Sequence, residues 1–250
     1  MIFLKRGNKK GELTTKQLIT IIVLITSFIV ILFLLFRLNL GETNEKQICH
    51  NSVLLQDKSV FSGPLDCRTN YVCISSGKEC ENIRATVTER IDPNKEEIMN
   101  ILAEEMSDCW WMFGEGKINY GGKALVERTT EFAICSVVEF DESLQNQISE
   151  ITYQEFYDYL KTSKKSSSQT YLQYIYSKNT LEEMDGENYV NFSLSDSINT
   201  SRKYSIITGI DNRVGTGENF RPDTILKVYI IPTDETSDRL LSPREFITKS

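Results

Sequence analysis

Residues 18–36 run for 19 positions without a charge, a proline or a glycine (LITIIVLITSFIVILFLLF). As an α-helix rising about 1.5 Å per residue, this stretch is about 28 Å long, close to the roughly 30 Å hydrocarbon layer of a bilayer. A buried core helix seldom stays apolar on every side for that length. A removable signal peptide would carry about 7–15 apolar residues and then a small-residue cleavage site. Here Arg37, Leu38, Asn39 and Leu40 follow instead. The expectation is a transmembrane helix over 18–36, with the lipid bilayer as its partner. Lys5, Arg6, Lys9, Lys10 and Lys16 precede the run, while only Arg37 and Lys46 follow it closely. That imbalance puts residues 1–17 in the cytoplasm as a basic tail and the rest of the chain outside the cell.

Charge separates the two parts further. Six basic residues against Glu12 give residues 1–37 a charge of +5, so the whole-chain −7 leaves −12 for residues 38–250. Binding a phosphate backbone needs clustered Lys and Arg, so nucleic acid is not an expected partner.

All six cysteines, Cys49, Cys67, Cys73, Cys80, Cys109 and Cys135, lie beyond the apolar run. An even set confined to the outer side reads as a disulfide framework formed in an oxidising compartment. Zinc sites use closer C-x2-4-C pairs, whereas these spacings include C-x5-C and C-x6-C, and His50 is the only histidine. No metal or other cofactor is expected. A Ser-Gly turn between Cys73 and Cys80 brings these two within bridging reach. Cys109 on a helix and Cys135 on an apolar strand make a second plausible staple.

The outer part reads as α+β: a disulfide-stabilised domain with an antiparallel sheet and one long amphipathic helix. A polar stalk over 37–47 leads to a Cys-rich α+β domain over 48–160, beginning with strand-like pieces at 52–55, 71–74 and 84–91. The helix spans about 93–113, with Asp92 as N-cap, Pro93 at its first position and Gly114 as its stop. Further strands are expected at 124–127 and 132–140, the second central because it is nearly all apolar. Thr152 and Glu155 form a capping box for a short helix, with Ile151 and Phe156 as its hydrophobic staple. Residues 161–169, polar and basic, read as a linker to a β-rich C-terminal lobe over 170–250. Strands are expected there at 189–194, 204–210 and 225–231, a hairpin tip at 214–219, and a frayed tail after Pro232.

Two residues on the long helix draw attention. Glu105 projects between Ile101 and Cys109, inside the apolar stripe, so it is paired, at the rim, or a weak candidate catalytic or ligand-binding acid. Trp111 projects toward the polar face, where it packs under the following loop or forms a contact surface. Asn191 and Asn199 match the N-glycosylation acceptor pattern. With a single histidine and no G-x-S-x-G, H-E-x-x-H or phosphate-loop motif, the chain holds little material for a histidine-based triad or a nucleotide site.

The basic run ending in Gly11 before the apolar segment resembles the processing site of type IV pilin-like precursors. Lys16 stands where those precursors carry a glutamate. Separately, the runs KGELTTKQL (10–18), RLNLGET (37–43), LDCRTNYVCI (65–74) and DCWWMFGEG (108–116) resemble a family of uncharacterised single-pass membrane-anchored proteins of small-genome archaea. That resemblance spans about residues 10–140. It implies membrane anchoring and an archaeal cell-surface setting, and it carries over no activity and no site residue. The leading expectation is a cell-surface binding or scaffolding protein with a protein partner and no catalysis. The alternatives are an extracytoplasmic hydrolase using carboxylates such as Glu105, and a pilin-like subunit cleaved after Gly11.

Overall fold

The computed structural model describes residues 15–37, 44–58, 65–118, 120, 130–180, 196–211, 225–236 and 244–246. The chain divides into two units, Met1–Asn44 and Glu45–Ser250. In the first, helix α1 (Thr15–Arg37) contains the apolar run. Its Thr26 hydroxyl donates to the Ile22 and Val23 carbonyls, and Ser27 donates to Val23, so both polar groups are satisfied within the helix. Among the described residues no helix is long and apolar enough to cross a membrane.

The second unit is α+β. Its sheet runs β2 (Val87–Arg90), β1 (Asn70–Ser75), β3 (Thr130–Phe140), β8 (Tyr204–Asp211), β9 (Ile225–Pro232), and β10 (Arg244–Phe246) also pairs with β3. This sheet is mixed, which corrects the antiparallel arrangement expected. β8 is antiparallel to β3 and β9, but β1 is parallel to β2 and to β3, and β10 is parallel to β3. The cause is local. After β1 the chain turns at Ser76 and Gly77 but returns to the beginning of β1, where the Thr86 N–H donates to the Tyr71 carbonyl, so β2 starts alongside β1 instead of folding back as a hairpin. Helix α3 (Lys95–Met112) then crosses over to β3, the connection that parallel strands require. β3 is central, as its apolar run implied.

α3 packs on one face of the sheet through Ile98, Leu102, Met106 and Cys109, joined by Ala103 and Trp110. Its N-cap is Asn94, whose side chain accepts from the Glu96 N–H at 2.9 Å; Asp92 and Pro93 lie ahead of the helix. Gly114, at φ +78°, takes the left-handed turn that ends it. Behind α3, α4 (Glu142–Gln145), β4 (Glu150–Thr152) and α5 (Tyr153–Thr162) follow β3, with the Thr152–Glu155 capping box in place and β4 paired to β7 (Ser197–Asn199). Helix α6 (Tyr171–Tyr176) adds its own capping box, Thr170 with Gln173. Tyr153 and Tyr176 donate their hydroxyls to the Ile230 and Val228 carbonyls, at 3.1 and 2.7 Å, covering backbone on β9, the last strand of the sheet among the described residues.

Three segments differ from their sequence reading. Residues 52–55 belong to helix α2 (Asn44–Lys58), which also takes up part of the expected stalk. Cys49 and Val53, four apart, supply its buried side. Residues 161–169 end α5 and enter a small hairpin, β5 (Lys164–Ser166) with β6 (Gln169–Thr170), within the same compact unit. Lys165 holds that hairpin to α3 through Glu104 at 2.5 Å, and Tyr171 donates to the same carboxylate. Burial alone would raise the Glu104 pKa, but these two partners bring it below the ordinary value. The tail, expected to fray, contributes β10. The expected strands at 124–127 and 189–194, the 214–219 loop, Asn191 and Gly11 lie outside the described residues.

Candidate functional site

All six cysteines are bridged: Cys49–Cys67, Cys73–Cys80 and Cys109–Cys135. The turn bridge and the helix-to-strand staple are thus both present. The third bridge ties α2 to the segment entering β1.

Glu105 sits at the edge of the α3 stripe, which is centred on Leu102 and Met106 and leaves Ile101 only half-buried. Lys46 of α2 reaches it at 2.9 Å and also meets Asp108 at 2.6 Å. The Glu105 side chain is 13% exposed against 30% for Lys46, so the pair is shielded without being sealed in. Burial pulls the Lys46 pKa down, but the two carboxylates outweigh it and hold it above the ordinary lysine value. This is a structural clamp between α2 and α3. Trp111 is part of it: His50 of α2 stacks on the indole with centroids 4.1 Å apart, and its Nδ1 lies 2.8 Å from the Trp111 carbonyl. A carbonyl can only accept, so Nδ1 carries the proton. Trp111 is covered in part by α2, and most of the loop that follows its own helix lies outside the described residues.

Breaking the clamp has a calculable effect. Lys46→Met leaves Glu105 shielded without its cation and should cost about 1–2 kcal/mol, between exposed and buried ion pairs. Adding Glu105→Gln should restore most of that loss in urea denaturation. Because the Lys46 pKa is raised on folding, its contribution is complete at neutral pH. It drains away as pH climbs above 10.5 and through the folded value. The gap between wild type and Lys46→Met should therefore narrow in strong alkali.

The better candidate site lies on the other face of the sheet. In β3, Ala133 and Cys135 belong to the helix-side core while Phe132 belongs to a smaller cluster with Ile207, Leu226, Tyr229 and Ile231. A bulge between Ile134 and Ser136 then shifts the alternation, so that Val138 and Phe140 belong to the helix-side core. Glu139, between them, is turned away from the helices. It lines a cleft of about 410 Å³ with Asn82, Gln145 of α4, Ser201, Arg202 and Lys203 before β8, and Thr233 and Asp234 after β9.

Glu139 is 4% exposed. Its Oε1 accepts from the Asn82 backbone N–H at 3.1 Å and from Asn82 Nδ2 at 3.0 Å, while Oε2 is buried without a hydrogen-bond partner among the described residues. The segment carrying Asn82 is anchored twice. The Cys73–Cys80 bridge ties it to β1, where Cys73 lies in register with Glu139. Asp141, the N-cap of α4, accepts from the backbone N–H groups of Ser76, Lys78 and Leu144 at 3.2, 2.8 and 2.9 Å, and from the Ser143 hydroxyl. Burial would raise the Asp141 pKa, but these donors hold it below the ordinary value.

Across the cleft Arg202 is engaged, meeting Asp234 at 2.7 Å and Glu235 at 2.5 Å. These carboxylates raise its pKa, and Arg202 in turn lowers that of Asp234. Lys203, by contrast, makes no ion pair or side-chain hydrogen bond among the described residues. The cleft is thus lined by Glu139, whose buried Oε2 has no hydrogen-bond partner among the described residues, and by Lys203, which has no ion pair there. Among the described residues no group of His, Cys, Asp and Glu could hold a metal ion.

The chain matches no family model, no curated protein and no solved structure. Sequence reasoning missed Glu139 because a lone acid closing an apolar strand reads as a strand end. The signal was its phase, since a parity count from Cys135 without the bulge puts Glu139 under α3. Asn199, the described glycosylation candidate, is exposed in β7, and its Oδ1 accepts from the Ser201 N–H at 2.9 Å.

Proposed function

We propose that this is a single-pass membrane protein, crossing the bilayer through residues 18–36, whose folded domain faces the outside of the cell and binds or scaffolds there without catalysis. The observation that carries this reading is the complete pairing of the cysteines, all of them on one side of the apolar run. Such bridges persist in oxidising compartments and are rare in reducing ones. The internal hydroxyl bonds of Thr26 and Ser27 suit a helix in lipid, where no water would serve them. The engagement of Glu105 by Lys46 favours a structural role for that acid over the hydrolase alternative.

Orientation is open to a direct test. In intact cells, an impermeant reductant followed by an impermeant thiol reagent should label the protein, while without reduction labelling should be absent. Labelling that appears only after lysis would overturn the outward orientation.

A further inference from the structure

We infer that the cleft around Glu139 binds a small zwitterion carrying a primary ammonium and a carboxylate, either a free α-amino acid or a short peptide with free termini. This deepens the binding role proposed above. It depends on that reading for the compartment alone, because the cleft geometry is the same whichever way the domain faces.

The argument begins with the unmatched oxygen. A carboxylate shielded from water costs stability unless it is paired, and Glu139 is more than nine-tenths buried with no partner for Oε2 among the described residues. Asn82 supplies both donors for Oε1 and so fixes the carboxylate in place without satisfying it. What is missing at Oε2 is a donor, and a cationic one relieves most. An ammonium group brings one charge and several protons. A second charge, on Lys203, also has no ion pair among the described residues. Lys203 lines the same cleft and no ion pair joins it to Glu139, whereas the neighbouring cation, Arg202, is taken up by Asp234 and Glu235. A ligand meeting both demands has opposite charges at its two ends. The lining also provides neutral groups for the rest of such a molecule. Gln145 donates Nε2 to the Phe140 carbonyl at 2.8 Å, which leaves its side-chain oxygen for a ligand. The space of about 410 Å³ falls within the range of small-molecule sites.

The test uses the full-length, detergent-extracted protein with its disulfides intact, followed by thermal unfolding. The probes are an equimolar pool of the twenty protein amino acids, the same pool N-acetylated, and the dipeptide Ala-Ala. The free pool or Ala-Ala should raise the midpoint by several degrees in a concentration-dependent way, as linkage requires. Whichever of the two acts identifies the source of the ligand. The acetylated pool, having no ammonium, should do nothing. Glu139→Gln keeps an acceptor for Asn82 and puts an amide NH2 in place of Oε2. It should abolish the ligand-induced shift while raising the midpoint of the free protein by roughly 2–4 °C, because an unpaired buried charge is gone. Lys203→Met should weaken the shift at least tenfold in the concentration needed.

A purely structural Glu139 predicts the opposite for Glu139→Gln, a loss of stability in the free protein. The inference is overturned by that result, by the absence of a shift with both the free pool and Ala-Ala, or by an equal response to the acetylated pool. Thiol labelling reports orientation separately, so either reading can fail while the other stands.

Discussion

Replacing Cys109 and Cys135 together by alanine is expected to lower the unfolding free energy by roughly 3.5 kcal/mol, which is what closing a loop of this span removes from the entropy of the unfolded chain. The bridge spans 26 residues and joins α3 to the centre of β3, so it ties the long helix to the strand that every other part of the sheet is built around. Both sulfurs lie in the helix-side core, so no water can fill the place they leave. The Cys49→Ala, Cys67→Ala pair should cost slightly less, its span being 18 residues. Urea denaturation under non-reducing conditions measures both. A Cys109, Cys135 double variant within about 0.5 kcal/mol of wild type would mean that the staple contributes almost nothing to the folded state.

Asp141→Ala should have a comparable effect by a different route. Its carboxylate is buried and gathers three backbone N–H groups and the Ser143 hydroxyl, so removing it strands several donors at once. Each buried unsatisfied donor costs about 1–3 kcal/mol, and some of these will find water, which puts the total near 3 kcal/mol. The effect depends on pH with a definite sign. The folded pKa of Asp141 is depressed, so its contribution is complete above the unfolded value of about 3.9 and is lost as pH falls through the folded one. Wild type should lose stability over that acidic window while Asp141→Ala, already lacking the group, shows a smaller loss. Parallel denaturation curves that differ by the same amount at pH 7 and in acid would contradict the assignment. The same variant releases the segment carrying Asn82, so ligand binding in the cleft should weaken as well.

What could be read without the fold was what depends on nearby residues. The capping box at Thr152 and Glu155 needs only two intervening positions and a favourable backbone, and it is there. The face of α3 follows from a period, although its centre falls closer to Ala103 and Trp110 than the apolar residues alone indicate. Strand direction was a different matter. Nothing in the sequence of β1 or β2 distinguishes parallel from antiparallel pairing, because alternation reports a strand's faces and not its neighbour's direction. α2 was misread as a strand because three apolar residues in a row at 53–55 outweighed a helical spacing that only the Cys49–Cys67 bridge and the packing of Val53 make visible. The clamp partner of Glu105 lies 59 residues away. The cleft residues come from segments on both sides of β3, and the shift that turns Glu139 outward lies in its pairing with β8.

The position of β3 also bears on how quickly this chain reaches its folded state. Its register places Val138 beside Val72, about 66 residues earlier, and Ser136 beside Ile206, about 70 residues later. Contacts so remote in sequence close large loops before they gain anything, a topology that slows folding by orders of magnitude relative to helical bundles. The half-made sheet, with the edges of β3 unpaired, is the species most exposed to aggregation while the chain waits for its last strand.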